Sequence, residues 1–209
     1  MLPEEQYLPA FELAQADFAR RDPQAMAQAT GVRYDQVRQV FHVRYLGAEY
    51  LVKYPEGEAA TAGRKVHIAR STLLLHYLAG ATGEPLSGKW ISFREVPGGN
   101  DYFPVFNRDA VKPLLAVFGE RPQALEEAAR QAGGEPAGRA DLAFVFHPLP
   151  GVPLALNFWS ADEEFPASAN FLFDATVSKN LPIYDLKVLA IEQGQQLIRL
   201  ARESQAGKR

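Results

Sequence analysis

The stretch Val37-Arg38-Gln39-Val40-Phe41-His42-Val43-Arg44-Tyr45-Leu46-Gly47-Ala48-Glu49-Tyr50-Leu51-Val52-Lys53-Tyr54 decides the fold class. Phe41, Val43 and Tyr45 fall on one face and His42 and Arg44 on the other, the period of a strand with one buried side. Leu46-Gly47-Ala48-Glu49 interrupts the alternation as a turn, and residues 50–54 resume it. The whole therefore reads as a β-hairpin, which joins antiparallel strands. Pro55-Glu56-Gly57-Glu58 follows as a second turn, and residues 65–68 read as a further short strand.

Helices flank this hairpin. Ala10, Phe11, Ala14 and Phe18 recur near a 3.6 period and predict a helix over residues 9–21. Asp22 as N-cap with Pro23 at the first helical position predicts a second one through Gln28, stopped at Gly31. Residues 71–79 are apolar on most sides, with Leu73, Leu74, Leu75, Tyr77 and Leu78, as in a helix buried beneath a sheet. Downstream come a strand over 89–94, a turn at Pro97-Gly98-Gly99-Asn100, and a helix over 108–118 capped by Asn107 and kinked by Pro113. A helix opens at Pro122 and closes at Gly133-Gly134, and strands over 141–146 and 153–159 pair as neighbours. Residues 161–174 read as a loop with a short apolar segment, and residues 184–203 as a long final helix. The expected class is α+β, an antiparallel or mixed β-sheet packed with several helices around a single core. One domain over residues 1–209 is expected, its tail frayed from about residue 204.

Composition narrows the chemistry. Apolar residues make up 47% and charged residues 22% of the 209, which is the balance of a folding globular chain. A formal net charge of -3 supplies no field to draw in a phosphate backbone, so no nucleic-acid partner is expected. With no cysteine, disulfides, thiolate zinc sites, cysteine-ligated iron–sulfur clusters and a cysteine nucleophile are all excluded. Met1-Leu2-Pro3-Glu4-Glu5 is acidic where a secretory signal is basic, and no apolar run approaches the roughly 20 residues that cross a bilayer. A cytoplasmic protein with no membrane partner is the expectation.

The densest group of chemical side chains is Asn157-Phe158-Trp159-Ser160-Ala161-Asp162-Glu163-Glu164-Phe165-Pro166. Turned inward, Asp162 and one of Glu163 and Glu164 could share a proton or a divalent cation, the cation requiring that Asp174 or Asp185 also approach. In the competing reading the acids face water and Trp159, Phe165 and Pro166 pack on the core. Gly98-Gly99 would let backbone amides approach a ligand, yet neither a P-loop nor a dinucleotide fingerprint surrounds it, so a plain turn is favoured. His42, His67, His76 and His147 show no metal-binding spacing, and no serine sits in a nucleophile elbow. Aromatics interleave with basic residues at Phe41 to Tyr45 and Lys89 to Arg94, a pattern that strand alternation explains without base stacking.

Leu73-Leu74-Leu75-His76-Tyr77-Leu78, Gly88-Lys89-Trp90-Ile91-Ser92-Phe93-Arg94-Glu95 with Gly98-Gly99 and Tyr102-Phe103, and above all residues 159–166 leading to Phe171-Leu172-Phe173-Asp174 resemble the domain-of-unknown-function family 3786. The resemblance covers most of the chain and carries over no catalytic residues. It implies an accessory role in corrinoid or one-carbon metabolism of anaerobes, although the cysteine-rich iron–sulfur module of such relatives is missing from this sequence. The favoured expectation is a noncatalytic module that binds a small molecule or protein partner, with a pocket near Trp90, Gly98, Gly99, Tyr102 and Trp159. The alternative is a carboxylate-dependent, hydrolase-like enzyme using Asp162, Glu163, Glu164 and Asp174 around a divalent metal or as an acid/base pair. Homo-oligomerisation through a sheet edge or aromatic patch is compatible with either, and no cofactor is specified.

Overall fold

A computed structural model describes residues 4–138 and 140–207. Their contacts divide the chain into two compact units. The first takes the residues up to Pro85 together with Leu149–Gly151 and Lys179–Pro182; the second takes the remainder.

In the first unit, β2 (Val40–Tyr45) and β3 (Ala48–Lys53) form the expected hairpin. Its turn is only Leu46-Gly47, with φ of 48° and 81°, because Tyr45 already pairs with Ala48. Positive φ at both positions gives the mirror-image turn whose twist matches that of paired strands. Three short strands extend the hairpin into a sheet ordered β1 (Arg33–Asp35), β2, β3, β4 (Ala59–Thr61), β5 (Arg64–Lys65). The strand expected over 65–68 is therefore cut short: Ile68 opens a helix, to which His67 supplies the cap, its ring nitrogen accepting from the Ala69 amide at 3.2 Å.

Phe41, Val43, Tyr45, Tyr50 and Val52 make the buried face of this sheet. Phe18 of α1 (Leu8–Arg20) meets Phe41 at 5.7 Å between ring centroids. The second helix, α2 (Pro23–Thr30), has the ends its sequence announces: the Asp22 carboxylate accepts from the Gln24 amide at 3.2 Å, and Gly31 closes it at φ 68°. The third, α3 (Ile68–Gly80), buries Leu73, Leu74, Leu75, Tyr77 and Leu78. Burial raises the Tyr77 hydroxyl above its ordinary pKa, and the group donates to the Pro150 carbonyl at 2.8 Å.

The second unit holds an antiparallel sheet ordered β6 (Trp90–Ser92), β10 (Ser168–Asp174), β9 (Val152–Trp159), β8 (Leu142–Leu149), β7 (Glu135–Pro136). With two antiparallel sheets and no barrel, the α+β class holds. The sequence reading assigned β10 to a loop, yet it pairs on both sides, with β6 and with β9. Ser168-Ala169-Asn170 are weak strand formers and mask the alternation of Phe171 and Phe173; two neighbouring ladders supply what intrinsic propensity lacks.

Residues 99–118 depart most from expectation. Where a turn and an Asn107-capped helix were expected, α4 (Gly99–Phe106), a π turn (Asn107–Val111) and α5 (Lys112–Phe118) follow without interruption. Asn107 is interior, and its carbonyl accepts from the Lys112 amide in the wide i→i+5 pattern. Pro113 has no N–H to return to the preceding turn, so a widened turn just before it leaves fewer bonds to break. The unit is completed by α6 (Pro122–Gln131) and α7 (Ile183–Ala206). The last helix runs beyond residue 203 because no breaker lies between that residue and Gly207; Lys208 and Arg209, in the expected tail, lie outside the described residues.

A group of phenylalanines ties these parts together. Phe93 and Phe106 stack at 4.0 Å with 9° between their planes, and Phe171 and Phe173 of β10 approach Phe106 at 6.3 and 6.4 Å. For Phe106 to reach Phe93, the chain must fold back tightly at Gly98-Gly99. A Cβ on Gly99 would lie 1.7 Å from the Phe93 carbonyl oxygen, whereas one on Gly98 meets open space but sits at φ 78°. We expect Gly99→Ala to cost more than about 3 kcal/mol by overpacking. Gly98→Ala should cost about 1 kcal/mol, the left-handed penalty alone. Both tryptophans lie in this unit, so urea unfolding followed by tryptophan fluorescence measures the difference.

Candidate functional site

Strand register places the residues singled out above. Trp159 stands opposite Ser168 across β9 and β10, and Trp90 stands opposite Asp174 across β6 and β10. Those two positions are six residue steps apart along β10, about 20 Å at the usual rise. Trp90 and Trp159 thus share a face of the sheet but occupy opposite ends of it, and the structure does not bring them into one pocket. Both indoles are partly exposed, as is Tyr102 on α4. Gly98 and Gly99 are spent on the turn that seats α4, where the group in close approach is a backbone carbonyl of the same chain.

The same register separates the acids. Asp162, Glu163 and Glu164 lie in the loop before β10, while Asp174 ends that strand. Among the described residues no group of three or more His, Asp or Glu is arranged to hold a metal ion.

Asp174 is only 2% exposed. Its Oδ1 accepts from the Ser87 amide at 3.1 Å, the Ser87 hydroxyl at 2.9 Å, the Thr176 amide at 2.9 Å and the Thr176 hydroxyl at 2.6 Å. Its Oδ2 accepts from the Gly88 amide at 2.8 Å. Burial alone would raise this carboxyl, but the donors of Thr176 and Ser87 outweigh it and hold the pKa at about 2. A carboxylate so engaged fastens the segment entering β6 to the end of β10. It is a poor proton shuttle near neutral pH because its protonated form is too rare.

Asp162 has a different local role. Its Oδ1 accepts from the amides of Glu164 at 2.9 Å and Phe165 at 2.7 Å, and its own amide donates to the Phe165 carbonyl at 3.0 Å. The Phe165 and Glu164 amides hold its carboxyl below the usual carboxylate range. Asp141 braces the same loop from just before β8, accepting from the Ser160 amide at 2.8 Å. Glu163 and Glu164 face solvent. Phe165 does not pack on the core: it is 65% exposed, and Trp159 is 38% exposed. The loop is therefore a braced tip bearing two outward aromatic rings and three acids. Beside it a groove of about 410 Å³ is lined in part by Arg130, Pro136, Gly138, Asp141 and Phe144.

Sequence reasoning missed two polar features. Asn170 and Asn157 are cross-strand partners between the tryptophans, and the buried Asn170 Oδ1 has no hydrogen-bond partner among the described residues. The π turn puts Arg108 and Asp109 against α7, near Lys187. An isolated Arg-Asp pair carries no sequence signal, although two prolines nine positions apart in one helical stretch do hint at an irregular turn.

Fold and loop together define a two-sheet α+β protein with a structurally braced acidic and aromatic tip. The chain belongs to the family described as Domain of unknown function (DUF3786), whose model matches residues 22–192. No curated protein and no solved structure gives a significant match. Among the described residues no helix is long and apolar enough to cross a membrane.

Asp174→Asn replaces an acceptor-only group with one that directs N–H toward N–H, and we expect a loss of about 3 kcal/mol at neutral pH. Because the folded carboxyl lies below its ordinary 3.8, this contribution is full above pH 5 or so and fades as pH falls toward about 2. Urea unfolding of both proteins at pH 7 and pH 3 should show the gap between them narrowing at the lower pH.

Proposed function

We propose that this chain is a noncatalytic accessory module that recognises a protein partner through the loop of residues 159–166. The observation that carries the reading is the outward presentation of Trp159 and Phe165 on a loop held by Asp162 and Asp141. Exposed aromatic rings on a braced turn lose little freedom on binding, and rings of this kind dominate interface energetics. Asp162, Glu163 and Glu164 around them favour a partner surface that combines basic residues with an apolar recess. The groove beside Asp141 offers room for a side chain of that partner. Asp162 and Asp174 serve as hydrogen-bond acceptors that shape the backbone, which supports a binding role over an acid/base one. The corrinoid and one-carbon setting implied by the family resemblance directs the choice of first partners to test.

A photo-reactive residue at position 165 would capture the partner, and titration of the purified pair would then quantify it. In the Trp159→Ala, Phe165→Ala double variant the affinity should fall at least about tenfold, the loss of one aromatic anchor or more. The melting temperature should stay near wild type, since both rings are partly exposed. Unchanged affinity would overturn the loop as the recognition element. A divalent cation that raises the melting temperature of the wild type but not of Asp162→Asn would instead favour the carboxylate-dependent enzyme.

A further inference from the structure

The sheet of the second unit has two unlike faces. On one, Phe158, Phe171 and Phe173 are buried, and Phe106 of α4 packs against the last two. On the other, strand register sets Trp159 opposite Ser168, Asn157 opposite Asn170 and Trp90 opposite Asp174. We propose that this second face seats a proline-rich segment of the protein partner, laid along β10 as a polyproline II helix from Trp159 to Trp90. The inference rests on the reading of the 159–166 loop as a protein-recognition element, and it names what that partner presents.

The polar groups of this strip are unpaired. Among the described residues the indole N–H groups of Trp90 and Trp159, the amides of Asn157 and Asn170 and the Ser168 hydroxyl make no hydrogen bond. Two half-buried amides side by side that bond neither each other nor the backbone cost stability, which a ligand would repay by pairing them. Asn170 turns its Oδ1 inward, where solvent does not reach it, and leaves its Nδ2 donor open. With the two indole N–H groups, donors therefore predominate along the strip. A run of prolines is their complement: its carbonyls accept, it has no N–H of its own, and in polyproline II none of those carbonyls is bonded internally.

Charge and length agree with that occupant. On β6, β9 and β10 the only charged side chain on this face is Asp174, which is buried and already bonded to Ser87, Gly88 and Thr176, so the segment it suits is neutral. Trp90 and Trp159 are 39% and 38% exposed at the two ends, where flat indole faces can stack on proline rings. Leu172, half-buried between them, supplies an apolar floor. The tryptophan positions stand about 20 Å apart along β10. At about 3.1 Å per residue, a polyproline II helix covers that span in six or seven residues.

The protein has two tryptophans, both on this strip, so its own emission reports occupancy. The probe is decaproline, which carries no fluorophore and spans about 31 Å, with triproline, a Gly-Ser decamer and cellohexaose as references. Decaproline should shift the emission saturably, and the Gly-Ser decamer should not. Triproline, at about 9 Å, reaches only one indole and should bind at least about tenfold more weakly. Trp90→Ala should weaken decaproline at least about tenfold. Asn170→Leu should weaken it about fivefold while the melting temperature holds or rises, because the orphaned oxygen is gone; a purely structural Asn170 would give a lower melting temperature and unchanged affinity. No saturable response to decaproline, equal affinity for triproline, or Trp90→Ala binding like wild type overturns the proposal. Tighter binding of cellohexaose also overturns it and assigns the strip to a neutral sugar chain. The length comparison needs no variant and decides the matter if a substitution prevents folding. Decaproline failing while position 165 still captures a partner removes this inference alone, and decaproline binding without capture at position 165 removes the loop reading alone.

Discussion

The stacked contact of Phe93 with Phe106 is the constraint on which the second unit depends. Aromatic rings bury more apolar area than any other side chains, and this pair sits against Phe171 and Phe173 of β10. To make the contact, the chain leaves the edge strand β6, reverses and sends α4 back against the turn of Phe93–Glu95. Only a residue without a side chain can pass the Phe93 carbonyl, which is the position that Gly99 fills. The π turn, α5 and the seat of α7 all follow from that reversal.

Polar groups are fitted around this apolar frame, and they chiefly settle the conformation of the backbone. Asp174 gathers the amides of Ser87, Gly88 and Thr176, Asp162 those of Glu164 and Phe165, and Asp141 that of Ser160. In each case a carboxylate satisfies N–H groups that a turn would otherwise leave unpaired. The acids that stand out in the sequence therefore act as scaffolding, and what they present is aromatic: Trp159 and Phe165. Asp109 is the contrasting case, a carboxylate that pairs with a side chain, Arg108, in place of backbone N–H groups.

Local signals were readable where local physics sets the outcome. The Asp22-Pro23 start and Gly31 stop of α2, the alternation of β2 and β3, the largely apolar α3 and the closing glycines after α6 all follow from caps, periods and turn chemistry. Reading failed where neighbours distant in sequence decide. β10 is a strand because β6 and β9 complete its hydrogen bonds, and Asn107 is no cap because α4 already continues into it.

By itself, the sequence determined the α+β class, the antiparallel hairpin, most helix boundaries, the absence of cysteine chemistry and the family. Only the tertiary structure decided that Trp90 and Trp159 flank opposite ends of β10, that Asp174 stands apart from Asp162, and that a π turn carries the Arg108–Asp109 pair. Caps and periodicity act over a few residues, and the order of residues along the chain carries them. Register between strands and the packing of one helix on another are set by burial among residues far apart in sequence, which no local pattern encodes.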